Sequence, residues 1–128
     1  MLPVLEFISQ DLYYDLNLQT LTPEPLCVGW RVVSRRDGRR PEPGWAEAEQ
    51  VLLSAEALHL ATQSGGTQLA GTWSLERSSF LSQPYLVMQL AHGTSQALIT
   101  RMRRSHDGAR RLLTLYFQSG LEIELTHP

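Results

Sequence analysis

The stretch Leu12-Tyr13-Tyr14-Asp15-Leu16-Asn17-Leu18-Gln19 sets apolar residues at even positions against mostly polar ones at odd positions. A period of two puts successive side chains on opposite faces of an extended chain, so the stretch reads as a strand with one face on a core. Thr22-Pro23-Glu24-Pro25 then ends it, because proline has no N–H for a ladder and biases its predecessor away from helix.

The same period recurs to the end of the chain. Residues 26–34 are rich in valine around Trp30 and run into Arg35-Arg36-Asp37-Gly38-Arg39-Arg40, where Asp-Gly signals a turn. Pro41-Glu42-Pro43-Gly44 prolongs that turn into an irregular loop. Over residues 68–76, Leu69, Gly71, Trp73 and Leu75 share one face, while Gln68, Ala70, Thr72, Ser74 and Glu76 share the other. Gln83-Pro84 precedes residues 85–91, mostly apolar and expected to be covered on both faces, and His92-Gly93 turns the chain. Residues 96–104 and 110–118 flank Ser105-His106-Asp107-Gly108-Ala109 as a long hairpin. After Ser119-Gly120, Leu121, Ile123 and Leu125 alternate with Glu122 and Glu124, whose carboxylates should face water.

Residues 46–60 support two readings. Ala48, Val51, Leu52, Ala55 and Leu58 fit one face of a helix, yet Leu58, Leu60 and Thr62 alternate into the hairpin-like Ser64-Gly65-Gly66-Thr67. The division expected is a short helix near residues 46–56 and a strand over 57–63. The whole is then a mainly β chain, a small antiparallel barrel or sandwich of about seven to eight short strands. Barrel closure would remove the exposed edges. With 128 residues, 42% hydrophobic and 19% charged, one domain over 1–128 with one core is expected.

Several classes lose support. No apolar run has the length of a membrane span, and Met1-Leu2-Pro3-Val4-Leu5-Glu6 lacks a signal peptide's basic and apolar segments, so a cytoplasmic location is expected. The single Cys27 cannot form an internal disulfide and reads as a small core residue. His59, His92, His106 and His127 lack metal-ligand spacing, with His106-Asp107 read as turn chemistry. No nucleophile elbow, phosphate-binding glycine loop or Cys/His pair is present. No catalytic residue, metal or cofactor is therefore assigned.

The arginines carry the remaining information. All 11 basic residues are arginine, planar forks suited to bidentate contact with carboxylate or phosphate. Arg35, Arg36, Arg39 and Arg40 surround one turn, while Arg101, Arg103, Arg104, Arg110 and Arg111 surround another, in a chain of net charge −2. These nine are the candidate partner-binding residues, forming one anion-binding surface if the two turns share an end of the domain. The expected function is a non-catalytic interaction module for an acidic protein or a phosphorylated ligand. Nucleic acid is less favoured, because Tyr13, Tyr14, Trp45, Tyr116 and Phe117 all lie outside the arginine runs in sequence. A barrel binding a small ligand between Trp30, Trp73 and Tyr85 and a structural subunit of a larger assembly are the alternatives.

Two resemblances bear on these alternatives. Arg35 or Arg36 with Arg39 or Arg40, followed by Val51-Leu52-Leu53-Ser54-Ala55-Glu56-Ala57-Leu58, is similar to a degenerate PilZ domain, whose arginine pair and downstream D/N-x-S-x-x-G motif grip a cyclic dinucleotide. Ser54 matches that motif, whereas Leu52 replaces the acidic residue and Ala57 the glycine. The resemblance implies a β-barrel with a lost or altered ligand site, and it leaves the first strands outside it. Gly71-Thr72-Trp73 resembles the G-x-W that opens lipocalin-like barrels, although too little chain follows Trp73 for all their further strands. On its own residues, Trp73 is a core side chain beside a glycine that permits close packing.

Overall fold

The computed structural model describes residues 13–42, 44–62, 68–78, 83–91 and 93–128. Nine strands are described: β1 Tyr13–Asp15, β2 Gly29–Arg36, β3 Gln50–Leu53, β4 Ala57–Ala61, β5 Gln68–Glu76, β6 Tyr85–Leu90, β7 Gly93–Ser105, β8 Arg111–Phe117 and β9 Glu122–His127. From β2 to β9 each strand pairs antiparallel with the next. β9 returns to pair with β2, closing an eight-stranded up-and-down barrel. β1 lies outside this ring and pairs Tyr13, Tyr14 and Asp15 with Ser105, Arg104 and Arg103 of β7. Closure leaves no long unpaired edge on the barrel.

Alternation fills the inside. Leu58 and Leu60, Trp73, Leu86, Met88 and Leu90, Leu113, Leu115 and Phe117, and Ile123 and Leu125 are all buried, with their neighbours along the strands turned outward except Thr126, which is also buried. A barrel of this strand number is just wide enough for side chains to occupy its axis. β6 is covered on its inner face only: Tyr85 and Val87 are half-buried and Gln89 is exposed, unlike the double coverage expected.

Two register shifts decide which arginines enter. Trp30 and Val32 point inward, and unbroken alternation would send Arg36 in and Arg35 out. A bulge between Val32 and Ser34 reverses this, placing Arg35 level with buried Ile123 and Arg36 level with Glu122. A second bulge between Ile99 and Arg101 turns Met102 into the core and Arg101 and Arg103 out to solvent.

Both barrel ends are covered. At the end where β2 finishes, the connection to β3 folds across the opening, burying Trp45 with its ring 5.1 Å from that of Phe117. Arg35 donates to the carbonyls of Trp45, at 3.3 Å, and Ala48. At the other end, 3₁₀ turns at Leu18–Thr20 and Glu24–Leu26 bring Leu21 and Leu26 under the core. Trp30 Nε1 donates to Leu26 O at 3.0 Å, Arg77 to Leu18 O at 3.1 Å and to Leu21 O, and Arg111 to Pro25 O at 3.0 Å.

Two expectations are corrected. The alternating stretch at 12–19 forms only the three residues of β1 before a 3₁₀ turn; its Leu12 lies outside the described residues. Asn17 Oδ1 accepts from Gln19 N–H at 3.0 Å, a local cap that competes with a ladder. No helix forms near residues 46–56. Backbone bonds from Trp45 and Ala46 N–H to Glu42 O make a turn at 44–47, and β3 follows, with Val51 and Leu53 inward and Leu52 47% exposed. Strand pairing wins because it satisfies backbone groups of β2 and β4 at once and closes the ring. The loop at Ser64-Gly65-Gly66-Thr67, the start at Met1-Leu2-Pro3-Val4-Leu5-Glu6, and His92 lie outside the described residues. No helix among the described residues is long and apolar enough to cross a membrane.

Candidate functional site

Up-and-down topology puts successive connections at alternate ends of the barrel. The β2–β3 connection with Arg39 and Arg40 therefore shares one end with the β8–β9 turn, where Arg39 N–H donates to Ser119 O at 2.9 Å. The β7–β8 hairpin lies at the opposite end with the 3₁₀ turns and β1. The two arginine groups of the sequence are thus held apart and do not form one surface.

Within each group the side chains divide further. Arg35 and Arg111 are half-buried and bound to main-chain carbonyls of the end covers. Arg36, Arg39 and Arg40 are exposed, in the company of Asp37, Glu42 and Glu122. At the hairpin end Arg101, Arg104 and Arg110 are exposed and Arg103 is half-buried.

Asp15 of β1 faces this second group. Its Oδ1 lies 3.1 Å from Arg103 Nε and 3.8 Å from Arg101 Nε, with 62% of its side chain exposed. Such solvated pairs contribute about 0–1 kcal/mol and exchange readily for another anion. Asp107 is occupied within the hairpin tip, accepting from Ser105 Oγ at 2.5 Å and Ala109 N–H at 2.9 Å. Those two bonds, with Arg110 nearby, hold its carboxyl below the ordinary value of 3.8. Among the described residues, four guanidinium groups thus meet two carboxylates at this corner, a local positive excess on a chain of net charge −2.

Folding also supplies what the linear order withheld. Tyr14 stands opposite Arg104 in the β1–β7 register and is 41% exposed. Its ring centroid is 5.1 Å from that of His106, at an interplanar angle of 49°. Sequence reading assigned His106 to turn chemistry and found no ring among the arginines. Nothing in the linear sequence signals the pairing, since Tyr14 and His106 meet only through the β1–β7 register. Arg77, also absent from the sequence candidates, proves to be a tie to the end cover.

The remaining candidates separate. Ser54 lies in the β3–β4 turn, at the barrel end opposite Arg39 and Arg40, so the residues of the PilZ resemblance do not meet. Trp73 lies on β5, the fourth strand of the barrel, and donates from Nε1 to Ser54 O at 2.9 Å. Cys27 is half-buried against the core, its Sγ 3.4 Å from Pro23 O. No group of three His, Cys, Asp or Glu residues with metal-binding placement occurs among the described residues. Two shallow grooves mark the outer wall, one of about 750 Å³ beside Arg31, Leu52 and His59 and one of about 420 Å³ beside Tyr85, Leu98 and Tyr116. No family model, curated protein or solved structure matches the chain.

Proposed function

We propose that this barrel is a non-catalytic binding module whose contact surface is the corner formed by β1 and the β7–β8 hairpin, and that its partner is anionic. The observation that carries the reading is the gathering of Arg101, Arg103, Arg104 and Arg110 around, among the described residues, Asp15 and Asp107, while Arg35 and Arg111 are engaged with backbone carbonyls. Strand β7 carries three of the four guanidinium groups and the hydrogen-bonded hairpin tip the fourth, Arg110, so little ordering entropy opposes contact. The Arg36, Arg39 and Arg40 group has as many carboxylates as cations around it and is the weaker surface.

Retention on immobilised heparin, a generic polyanion, tests this. The double variant Arg104→Glu, Arg110→Glu should elute at clearly lower salt than the wild type, and Arg39→Glu, Arg40→Glu should shift elution less. Equal shifts for the two pairs, or none for the first, would remove the corner from consideration.

A further inference from the structure

We infer that this corner is a site for single-stranded nucleic acid, with Tyr14 as a stacking platform for a base and the arginines as phosphate contacts. The inference rests on the corner being the contact surface and adds the chemistry of the ligand. Charge alone does not distinguish an acidic peptide from a polynucleotide. The rings do. Tyr14 projects from β1 directly beside Arg104, 41% exposed, with His106 tilted against it at 5.1 Å. An acidic peptide would use the guanidinium groups and leave this ring pair without a task, whereas an unpaired base has an apolar face that stacks on tyrosine whatever its identity.

The placement of charge around the rings agrees with this. Arg103 and Arg104 are consecutive on β7 and point to different sides, Arg103 toward Asp15 and Arg104 toward the hairpin tip, where it passes beside Gly108. Arg101 follows Arg103 along the outer face, and Arg110 stands across the tip. Arg104 therefore shares the Tyr14 face of the β1–β7 ladder, while Arg101 and Arg103 lie with Asp15 on the opposite face, so a strand whose base stacks on Tyr14 meets Arg104 beside the ring and reaches Arg101 and Arg103 around the β1 edge. The Asp15 carboxylate bridging Arg101 and Arg103 occupies the position a phosphate oxygen would take, and its exposure makes it displaceable. A duplex hides its base faces, so it should gain the phosphate contacts only. No sequence preference is expected, because nothing at the corner reads base edges.

Fluorescence anisotropy with the full chain tests the assignment against four labelled probes: a 12-nucleotide oligo-uridine, the matching oligo-thymidine, a 12-base-pair duplex and polyglutamate of similar charge. The single strands should bind at least several-fold more tightly than the duplex or polyglutamate. Tyr14→Leu should weaken single-strand binding about tenfold without changing its salt dependence, and Tyr14→Phe should restore it. Arg104→Ala with Arg110→Ala should instead flatten the dependence on salt, by a slope of about 0.7 for each phosphate that is no longer neutralised. If duplex or polyglutamate binds as well as the single strands, or Tyr14→Leu has no effect, the nucleic-acid assignment falls. Loss of polyglutamate binding in Arg104→Glu, Arg110→Glu would in that case leave the anionic-contact reading standing. If no probe responds to Arg104 and Arg110, both readings fall together.

Discussion

Arg35 of β2 donates to the main-chain carbonyl of Trp45 at 3.3 Å, so a strand of the barrel holds down the segment that covers its own end. The same guanidinium reaches Ala48 O, while Arg77 and Arg111 perform the equivalent service for the cover at the opposite end. Hydrogen bonds from charged donors contribute about 1.5–3 kcal/mol, and removing Arg35 takes away the side-chain donor that meets Ala48 O, while Trp45 O keeps the Ala48 N–H at 3.4 Å. Arg35→Met, which keeps most of the length and apolar contact, should cost about 1–3 kcal/mol. Hydrogen exchange should rise first in residues 45–48. An exchange increase spread evenly over the barrel would show that Arg35 supports the core and not the cover.

The three tryptophans should respond unequally to loss of their indole N–H. Trp30 Nε1 donates to Leu26 O at 3.0 Å and Trp73 Nε1 to Ser54 O at 2.9 Å, whereas buried Trp45 Nε1 has no partner among the described residues. Replacement by phenylalanine removes ring volume in every case. At 30 and 73 it also removes one of the two hydrogen bonds that the carbonyl accepts, Leu26 O keeping Val28 N–H at 2.8 Å and Ser54 O keeping Ala57 N–H at 3.0 Å, a loss of about 0.5–1.5 kcal/mol. Trp45→Phe should therefore be the mildest of the three in chemical denaturation, and finding it the most harmful would contradict the placement of these rings.

Particular residues show what the sequence could and could not convey. Leu69, Trp73 and Leu75, or Leu86, Met88 and Leu90, announce strands because one face of each is buried and the other is not, which is the condition under which a period of two appears. Val51 and Leu52 gave no such guidance, because an exposed leucine beside a buried valine fits a helix face equally well until β2 and β4 are in place. The site was hidden for a different reason. Bulges at Val32/Ser34 and Ile99/Arg101 exchange the faces of the arginines that follow, and one unpaired residue leaves no compositional trace. The meeting of Tyr14 with Arg104 depends on β1 lying along the free part of β7 beyond the end of β6, which only the closed barrel defines.

Gly71 of β5 tests how closely the strands approach. A Cβ built there would overlap the carbonyl oxygen of Gln89 on β6, a backbone atom that cannot swing aside. Gly71→Ala should therefore destabilise the barrel by about 1–3 kcal/mol or more, through overpacking and not through any change in turn geometry. Gly29→Ala on β2, with β3 and β4 between it and β5, is the matching control, since a Cβ there meets only Leu52 Cδ1 at 4.0 Å. Thermal unfolding should separate the two clearly, and equal midpoints would argue against the β5–β6 register.

The hairpin tip carries a local acid sensitivity. Ser105 Oγ donates to Asp107 Oδ1 and accepts from Arg110 N–H at 3.0 Å, and Ala109 N–H completes the Asp107 contacts. These bonds favour the ionised carboxylate, so its value in the folded hairpin lies below the ordinary 3.8. The sign follows from linkage: the stabilisation is complete above about pH 3.8 and is lost as pH falls through the lowered folded value. The Ala109 amide resonance should accordingly titrate with a midpoint below 3.8, and Asp107→Asn should abolish that titration. A midpoint above 3.8 would mean that Asp107 is not held by Ser105 and Ala109. The tip would then lack the fixed geometry that places His106 against Tyr14.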